Sequence, residues 1–217
     1  GNAPGTTNQP FIGMGNVNYV SYVQGNGWMD LMTNGSISGT IGLCKKIEAL
    51  KISLGENDYS GSVQYSGHVQ DYGWMDYVSD GEDCGVVGES KKIEAIKIRL
   101  TGEISNYYDI YYRVHVQDLG WLDWAKNDQI AGTTGGNFRV EAIEIRLYPK
   151  EVKVLNNSKK RSITFINKNG YQICYDALGK LYEDAENILG KRSSYVLRVN
   201  KGTNVVTVLI PDGTGAY

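Results

Sequence analysis

The stretch "HVQDYGWMDYVSDG" at 68–81 returns as "HVQDLGWLDWAKND" at 115–128, and in paler form as "YVQGNGWMDLMTNG" at 22–35. A chain that repeats itself in a fixed register must fold as repeated units, so periodicity constrains this fold before anything else does. Gly27-Trp28, Gly73-Trp74 and Gly120-Trp121 are spaced by 46 and 47 residues, and Glu48-Ala49, Glu94-Ala95 and Glu141-Ala142 keep the same intervals. Gln24, Gln70 and Gln117 follow suit. Each unit closes on a phrase such as "KKIEAIKIRL" at 91–100, with "KKIEALKISL" at 45–54 and "FRVEAIEIRL" at 138–147 as its counterparts.

Inside a unit the hydrophobic period is two, the mark of strands. Ile96, Ile98 and Leu100 fall on one face and Lys97 and Arg99 on the other. Val63, Tyr65 and Val69 likewise oppose Gln64, His68 and Gln70. Asn34-Gly35 and Asp80-Gly81 are turn dipeptides and predict a short hairpin between the Trp segment and the Gly-rich segment that follows. Each unit then holds about four strands, the outer two long and the inner two short. Three units are too few for a propeller, and a closed body would remove exposed sheet edges. The expectation is an all-β, pseudo-threefold domain over 17–149, with repeats at about 17–60, 61–106 and 107–148. It is β-trefoil-like in preference, with a β-prism of three sheets as the alternative.

The combined phrase "HVQDYGWMDYVSDG…CGVVG…KKIEAIKIRL" resembles the clostridial hydrophobic repeat with a Gly-Trp signature, the ChW repeat, over about residues 17–148 in three copies. Met29, Met75 and Leu122 stand where Gln commonly follows the Gly-Trp. The second aromatic of the pattern survives as Tyr77 and Trp124 but is Leu31 in the first copy. "AGTTG" is intact only at 131–135, with "SGTIG" and "CGVVG" in the other copies. The resemblance implies a secreted or surface protein of a Gram-positive anaerobe.

After Pro149 the landmarks stop. Residues 151–217 carry ten Lys and Arg against six Asp and Glu, net +4, whereas residues 1–150 carry twelve against eighteen, net −6. "SITFINKNGYQICYD" predicts a hairpin about Asn169-Gly170, and "SSYVLRV" and "NVVTVLI" predict further strands. Residues 150–217 are expected to form a small β-sandwich, with an immunoglobulin-like arrangement as one form of it. At roughly 65 residues such a unit is near the lower limit for an independent core, which favours docking on the repeat body. "ALGKLYEDAENILGK" reads equally as a short helix or as a turn and edge strand. The opening, residues 1–16, reads as a flexible linker left where a leader was removed.

Composition excludes several function classes. A net charge of −2 gives no general hold on nucleic acid or anionic lipid. No apolar run approaches the roughly 18–20 residues of a spanning helix. Cys44, Cys84 and Cys174 match no zinc or redox spacing and read as small filler positions, with a disulfide or reactive thiol as the alternative. No nucleophile–base constellation, phosphate loop or dinucleotide fingerprint is present, so neither catalysis nor a cofactor or metal is expected.

The repeated residues remain as the candidate site. If "WMDYV" is one regular strand, Trp74, Asp76 and Val78 share a face, and Met75 and Tyr77 share the other, apolar one. Trp28, Asp30, Trp121 and Asp123 follow the same rule. A ring beside a carboxylate suits a sugar. A buried ring would instead serve as a threefold core anchor, worth roughly 4–6 kcal/mol as an upper estimate. A bulge at the preceding Gly would turn it inward. Parity places Glu48, Glu94 and Glu141 with the inward isoleucines, where a structural tie to nearby N–H groups is expected. His68 and His115 share a slot with Tyr22 and read as exposed strand residues, with a hydrogen-bonding role toward a polar ligand as the alternative.

The expected function is therefore a secreted or cell-surface, non-catalytic module binding carbohydrate or cell-wall glycan at up to three equivalent sites. Trp28, Trp74 and Trp121 would stack on sugar; Asp30, Asp76, Asp123, Gln24, Gln70 and Gln117 would hydrogen-bond, with His68 and His115 beside them. The alternative is a protein–protein, adhesion or scaffolding module.

Overall fold

A computed structural model describes residues 14–150, 158–168, 171–181, 196–200 and 205–209. It is all-β, and the three repeats are built alike. Repeat 1 contains β1 (Val17–Val23), β2 (Gly27–Trp28), β3 (Met32–Thr33), β4 (Ser38–Gly39) and β5 (Ile47–Leu54). Repeat 2 contains β6 (Ser62–Val69), β7 (Gly73–Trp74), β8 (Val78–Ser79), β9 (Cys84–Gly85) and β10 (Ile93–Thr101). Repeat 3 contains β11 (Tyr108–Val116), β12 (Gly120–Trp121), β13 (Ala125–Lys126), β14 (Ala131–Thr134) and β15 (Val140–Pro149).

In every repeat the two long strands pair antiparallel, and the two short strands after the first turn fold back on the first long strand. The Gly-rich strand then leaves its own repeat. β9 pairs with β5 of repeat 1, β14 with β10 of repeat 2, and β4 with β15 of repeat 3. Every repeat thus lends a strand to its neighbour, and the loan from repeat 1 to repeat 3 closes the cycle. The result is three separate sheets linked in a ring rather than one closed barrel. The inner hairpins do not stand apart as a trefoil cap; they lie on their own sheets.

The turn dipeptides fall where the sequence put them but do a different job. Asn34 and Asp80 have φ of 37° and 42°, followed by Gly35 and Gly81 at 86° and 90°. The two strands flanking such a turn do not pair with each other. The turn sends the chain across to the next sheet, where Gly35 N–H donates to Ile145 O and Gly81 N–H to Ile52 O, each at 2.8 Å. The side chains of Asn34, Asp80 and Asn127 accept from the N–H of Val17, Val63 and Ile110 at 2.8, 2.9 and 3.1 Å, pinning each turn to the start of its repeat.

One core serves all three repeats. Tyr19, Tyr65 and Tyr112 are its largest side chains, with Ile52, Ile98 and Ile145 from the last strands and Val17, Val63 and Ile110 from the first. A phenol this deep needs an acceptor. Tyr65 Oη donates to Glu82 O at 2.5 Å, and Tyr19 and Tyr112 donate to the equivalent carbonyls of Ser36 and Gln129. Burial pushes the Tyr65 hydroxyl up to about 12, raises those of Tyr19 and Tyr112, and pushes the buried Cys84 thiol up to about 12. These groups are neutral in the fold and ionise more readily in the unfolded chain, at about pH 8.5 for Cys and 10 for Tyr. Their contribution to stability is complete below that range and declines as pH rises toward about 12. The midpoint of urea unfolding should therefore hold level from pH 7 to about 8.5 and fall steeply by pH 11; an unchanged midpoint at pH 11 would contradict this core.

The segment after the repeats is partly built into the ring. β16 (Ser162–Lys168) runs parallel to β14, and β17 (Tyr171–Tyr175) pairs with β16, so both continue the sheet of repeat 2. Ile163, Phe165 and Cys174 are buried in the common core, and Phe165 packs on Phe138 with ring centroids 5.2 Å apart. The hairpin expected about Asn169-Gly170 is present, with Lys168 opposite Tyr171, although the two turn residues lie outside the described set. β18 (Val196–Asn200) and β19 (Val205–Leu209) form a second hairpin that pairs with no other strand among the described residues. Of the helix-or-turn stretch at 177–191, residues 177–181 form a turn ending on a bridge between Tyr175 and Leu181; the rest of it falls outside the described residues, as do the remainder of the expected sandwich and most of the 1–16 linker. Residues 14–16 are tied down: Gly15 N–H donates to Leu147 O at 3.1 Å.

Candidate functional site

The tryptophans are not core plugs. They lie on the outer faces of the sheets, directly across from Tyr22, His68 and His115. Trp28 is 36% exposed, and Trp74 and Trp121 are half-buried. Each ring meets its cross-strand partner edge-on, with centroids 5.4, 5.4 and 5.5 Å apart. A cation lies over each ring: Lys51 at 4.5 Å, Lys97 at 4.4 Å and Arg113 at 4.6 Å. Such contacts contribute about 0.5–1 kcal/mol at exposed sites.

Repeat 3 obtains its cation by a different route. Lys51 and Lys97 stand on the last strand of their repeats, across from Val20 and Ser66. In repeat 3 that place is Glu144, and the residue across from it is Arg113. Arg113 reaches Glu144 at 2.8 Å and still covers Trp121. Cation and ring are conserved in space while the strand supplying the cation changes.

The parity argument fails at two bulges in each repeat, the first of them after the Trp. Between Tyr22↔Trp28 and Tyr19↔Met32, three steps on the long strand face four on the short ones, and repeats 2 and 3 repeat the mismatch. The extra residue flips the pattern. Met29, Met75 and Leu122 pack on the core as expected, and so do Met32, Val78 and Ala125, which the unbroken strand had placed with the Trp. Tyr77 and Trp124 turn outward instead and join the Trp. Lys97 lies between Trp74 and Tyr77, and Arg113 between Trp121 and Trp124. The bulge is not at the Gly before the Trp; Gly27, Gly73 and Gly120 have φ of 76°, 74° and 73° and end the preceding turn.

A second bulge corrects the glutamates. Pairing passes from Tyr22↔Ala49 to Val23↔Ile47, from His68↔Ala95 to Val69↔Ile93 and from His115↔Ala142 to Val116↔Val140. Glu48, Glu94 and Glu141 are each the unpaired residue. They are buried, but they face charged or ring partners rather than the isoleucines. Glu94 Oε2 lies 3.0 Å from His68 Nδ1 and Glu141 Oε2 3.1 Å from His115 Nδ1. Arg139 adds a 2.9 Å pair to Glu141, and Lys46 is 3.9 Å from Glu48, whose repeat has Tyr22 in the histidine slot. The histidines are thus partly buried partners of a carboxylate, not free strand residues. The backbone donors expected of the Gly-rich turn meet the Glu main-chain carbonyl instead: Thr40 N–H donates to Glu141 O at 2.9 Å and Val86 N–H to Glu48 O at 3.3 Å.

Of the predicted ligand-binding residues, Trp74 and Asp76 come together. They line a surface cleft of about 370 Å³ with Met75, Asp83, Cys84 and Gly85. His68 touches Trp74 from the side, while Gln70 faces Lys92 at 3.4 Å, away from the cleft. Gln24 is exposed at its turn, and Gln117 holds the same place in repeat 3. Asp30 is exposed like Asp76, but Asp123 is not. The chain's own Lys160 and Arg161 fill that cleft in repeat 3: Asp123 N–H donates to Lys160 O and Gly132 N–H to Arg161 O, each at 3.1 Å. Burial raises the Asp123 carboxyl against the pull of Lys160. Three equivalent Trp–Asp sites are therefore not available. Among the described residues, no cluster of His, Cys, Asp and Glu could hold a metal ion, and no helix is long and apolar enough to cross a membrane. The cysteines are unpaired; Cys84 and Cys174 are buried fillers and Cys44 is exposed.

Outward rings with cations, repeated about a ring of three strand-swapped sheets, define a repeat module of the all-β class. Residues 22–56, 68–102 and 115–149 each match the family described as Clostridial hydrophobic W (ChW), and the chain is a ChW-repeat protein with three copies. No curated protein and no solved structure matches it.

Proposed function

We propose that this chain is a secreted or cell-surface, non-catalytic binding module that takes carbohydrate of the cell wall on the outer faces of its sheets. One observation carries the reading: every repeat holds a partly exposed Trp with a cation over it, and repeat 3 keeps that pair although its cation comes from the other strand. A ring offers a face or edge to the C–H side of a sugar, and the neighbouring ammonium or guanidinium favours glycans bearing carboxylate or phosphate. Weak quasi-equivalent sites gain strength together on a repetitive polymer. Purified cell-wall polysaccharide should be retained by the wild-type chain, and the double variant Trp74→Ala, Trp121→Ala should lose at least tenfold in affinity while keeping its circular dichroism spectrum. Retention undiminished in a folded double variant would sink the proposal.

A second reading, a protein ligand, is favoured by the strand that occupies the repeat 3 cleft.

A further inference from the structure

The three clefts between the lent strand and the hairpin of the same repeat are equivalent by register, yet one is filled. In repeat 3, the segment 160–164 enters with Lys160 O on Asp123 N–H and Arg161 O on Gly132 N–H. It then pairs in parallel, Ser162 with Gly132, Ile163 with Thr133 and Thr164 with Thr134. β14 accordingly runs four residues, where β4 and β9 run two. In repeat 2 the same roles fall to Asp76, Gly85, Val86 and Val87. Gly85 pairs with Ala49 as Gly132 pairs with Ala95, so its N–H is turned outward in the same way. Asp76 N–H makes no hydrogen bond among the described residues. The outer edge of β9 is unpaired among them, and Val87 is 41% exposed. An edge with donors aligned and an apolar residue beside it is a template for another strand.

Charge selects the occupant. Asp83 replaces Ile130, and Asp76 stays exposed where Asp123 is covered, so the open cleft is more acidic than the filled one, whose own occupant leads with Lys159, Lys160 and Arg161. Asp83 faces Lys51 at 3.2 Å, but both side chains are well exposed and the pair is readily exchanged. Beyond the cleft the two repeats diverge. Gly136 and Phe138, which receive Phe165, are replaced by Glu89 and Lys91, so the partner of repeat 2 carries no aromatic there. The chain's own β16 is committed in cis, with Ile163 fully buried, so a second copy does not supply the strand.

We infer that the open edge of β9 is a docking site for an extended basic segment of a partner protein, which pairs parallel to 85–87 and sets its leading cations against Asp76 and Asp83. The inference rests on the protein-ligand reading, and its cleft shares Trp74 and Asp76 with the glycan reading; Val87→Pro, which leaves Trp74 and Lys97 in place, separates the two.

The probe is a fluorescein-labelled peptide Lys-Lys-Arg-Ser-Ile-Thr, titrated into the full chain and followed by anisotropy, with amide exchange locating the contact. Saturable binding is expected, with new protection at 85–87. Affinity should fall at least tenfold for Val87→Pro, which blocks the outward N–H without touching the inter-repeat bonds, for Asp83→Lys, and for a peptide N-methylated at Ser and Thr that keeps its charge. No saturable binding, equal binding of the N-methylated peptide, wild-type affinity in both folded variants, or protection confined to 131–134 would each overturn it.

Discussion

Gly85→Ala should destabilise the protein by about 3–5 kcal/mol, a fifth or more of the roughly 5–15 kcal/mol that holds an ordinary domain together. Gly39, Gly85 and Gly132 are the points at which a lent strand meets the neighbouring repeat, opposite Ala142, Ala49 and Ala95. Their φ values are 104°, 112° and 116°, a region that side chains occupy at a cost of about 1–3 kcal/mol. A Cβ at Gly85 would also run into the Glu48 carbonyl and lie 2.8 Å from the Ala49 Cα, both backbone atoms that cannot swing aside. Relief means opening the inter-repeat ladder, at about 0.5–1.5 kcal/mol for each hydrogen bond lost. Gly39→Ala and Gly132→Ala should behave alike, since both meet the same carbonyl–Ala step. The control is Gly88→Ala: φ is 88° but nothing lies within 4 Å of the new Cβ, so only about 1 kcal/mol of strain is expected. Equal denaturation midpoints for Gly85→Ala and Gly88→Ala would show that the close approach is not there.

The second large effect lies at Tyr112. Truncation to Ala removes a ring with no exposed surface from the centre of the shared core, which costs about 3–5 kcal/mol in comparable sites. Tyr112→Phe keeps the ring and strips the Gln129 carbonyl of its donor, for about 1–2 kcal/mol. Trp74→Ala, although it deletes a larger side chain, should cost less than Tyr112→Ala, because the ring is half outside and its partners are a surface lysine and a histidine edge. That ordering is the reverse of what a Trp-anchored core would give, and chemical denaturation of the three variants at pH 7 measures it.

The repeat, its strand content and the inward stripe of Val63, Tyr65 and Val69 were legible in the sequence because a two-residue period records which face is buried. The same period misplaced Val78, Tyr77 and Glu94, each for one reason: a single inserted residue on one side of a ladder. A bulge leaves no periodic trace of its own. Its signal was the conflict already visible in the chain, a charged Glu on an apolar stripe beside an invariantly small Ala. The exchange of strands was hidden for a different cause. Gly39, Gly85 and Gly132 look like ordinary turn residues, and only the register shows that the residue they press on belongs to another repeat. The filled cleft has a trace in the sequence: "GGNFR" at 135–139 replaces "GLCKK" at 42–46 and "GESKK" at 88–92, with Phe138 in the place of a lysine and Gly136 clearing room for Phe165. Of the candidate site, Trp74, Asp76 and His68 were found together; Lys97 and Arg113 were missed because parity sorts residues within one strand and does not say which neighbours the ladder sets beside a ring.

Contact between the first and last repeats distinguishes a ring from an open string of three units, and the pairing of β4 with β15 is its strand-to-strand form, since the other two loans join neighbours along the chain. In a uniformly labelled sample, cross-strand nuclear Overhauser contacts between Gly39 and Ala142 should appear at the intensity of those between Gly85 and Ala49, with the Thr40 amide slow to exchange. Contacts at Gly85–Ala49 and Gly132–Ala95 with silence at Gly39–Ala142 would mean that the first and last copies never meet.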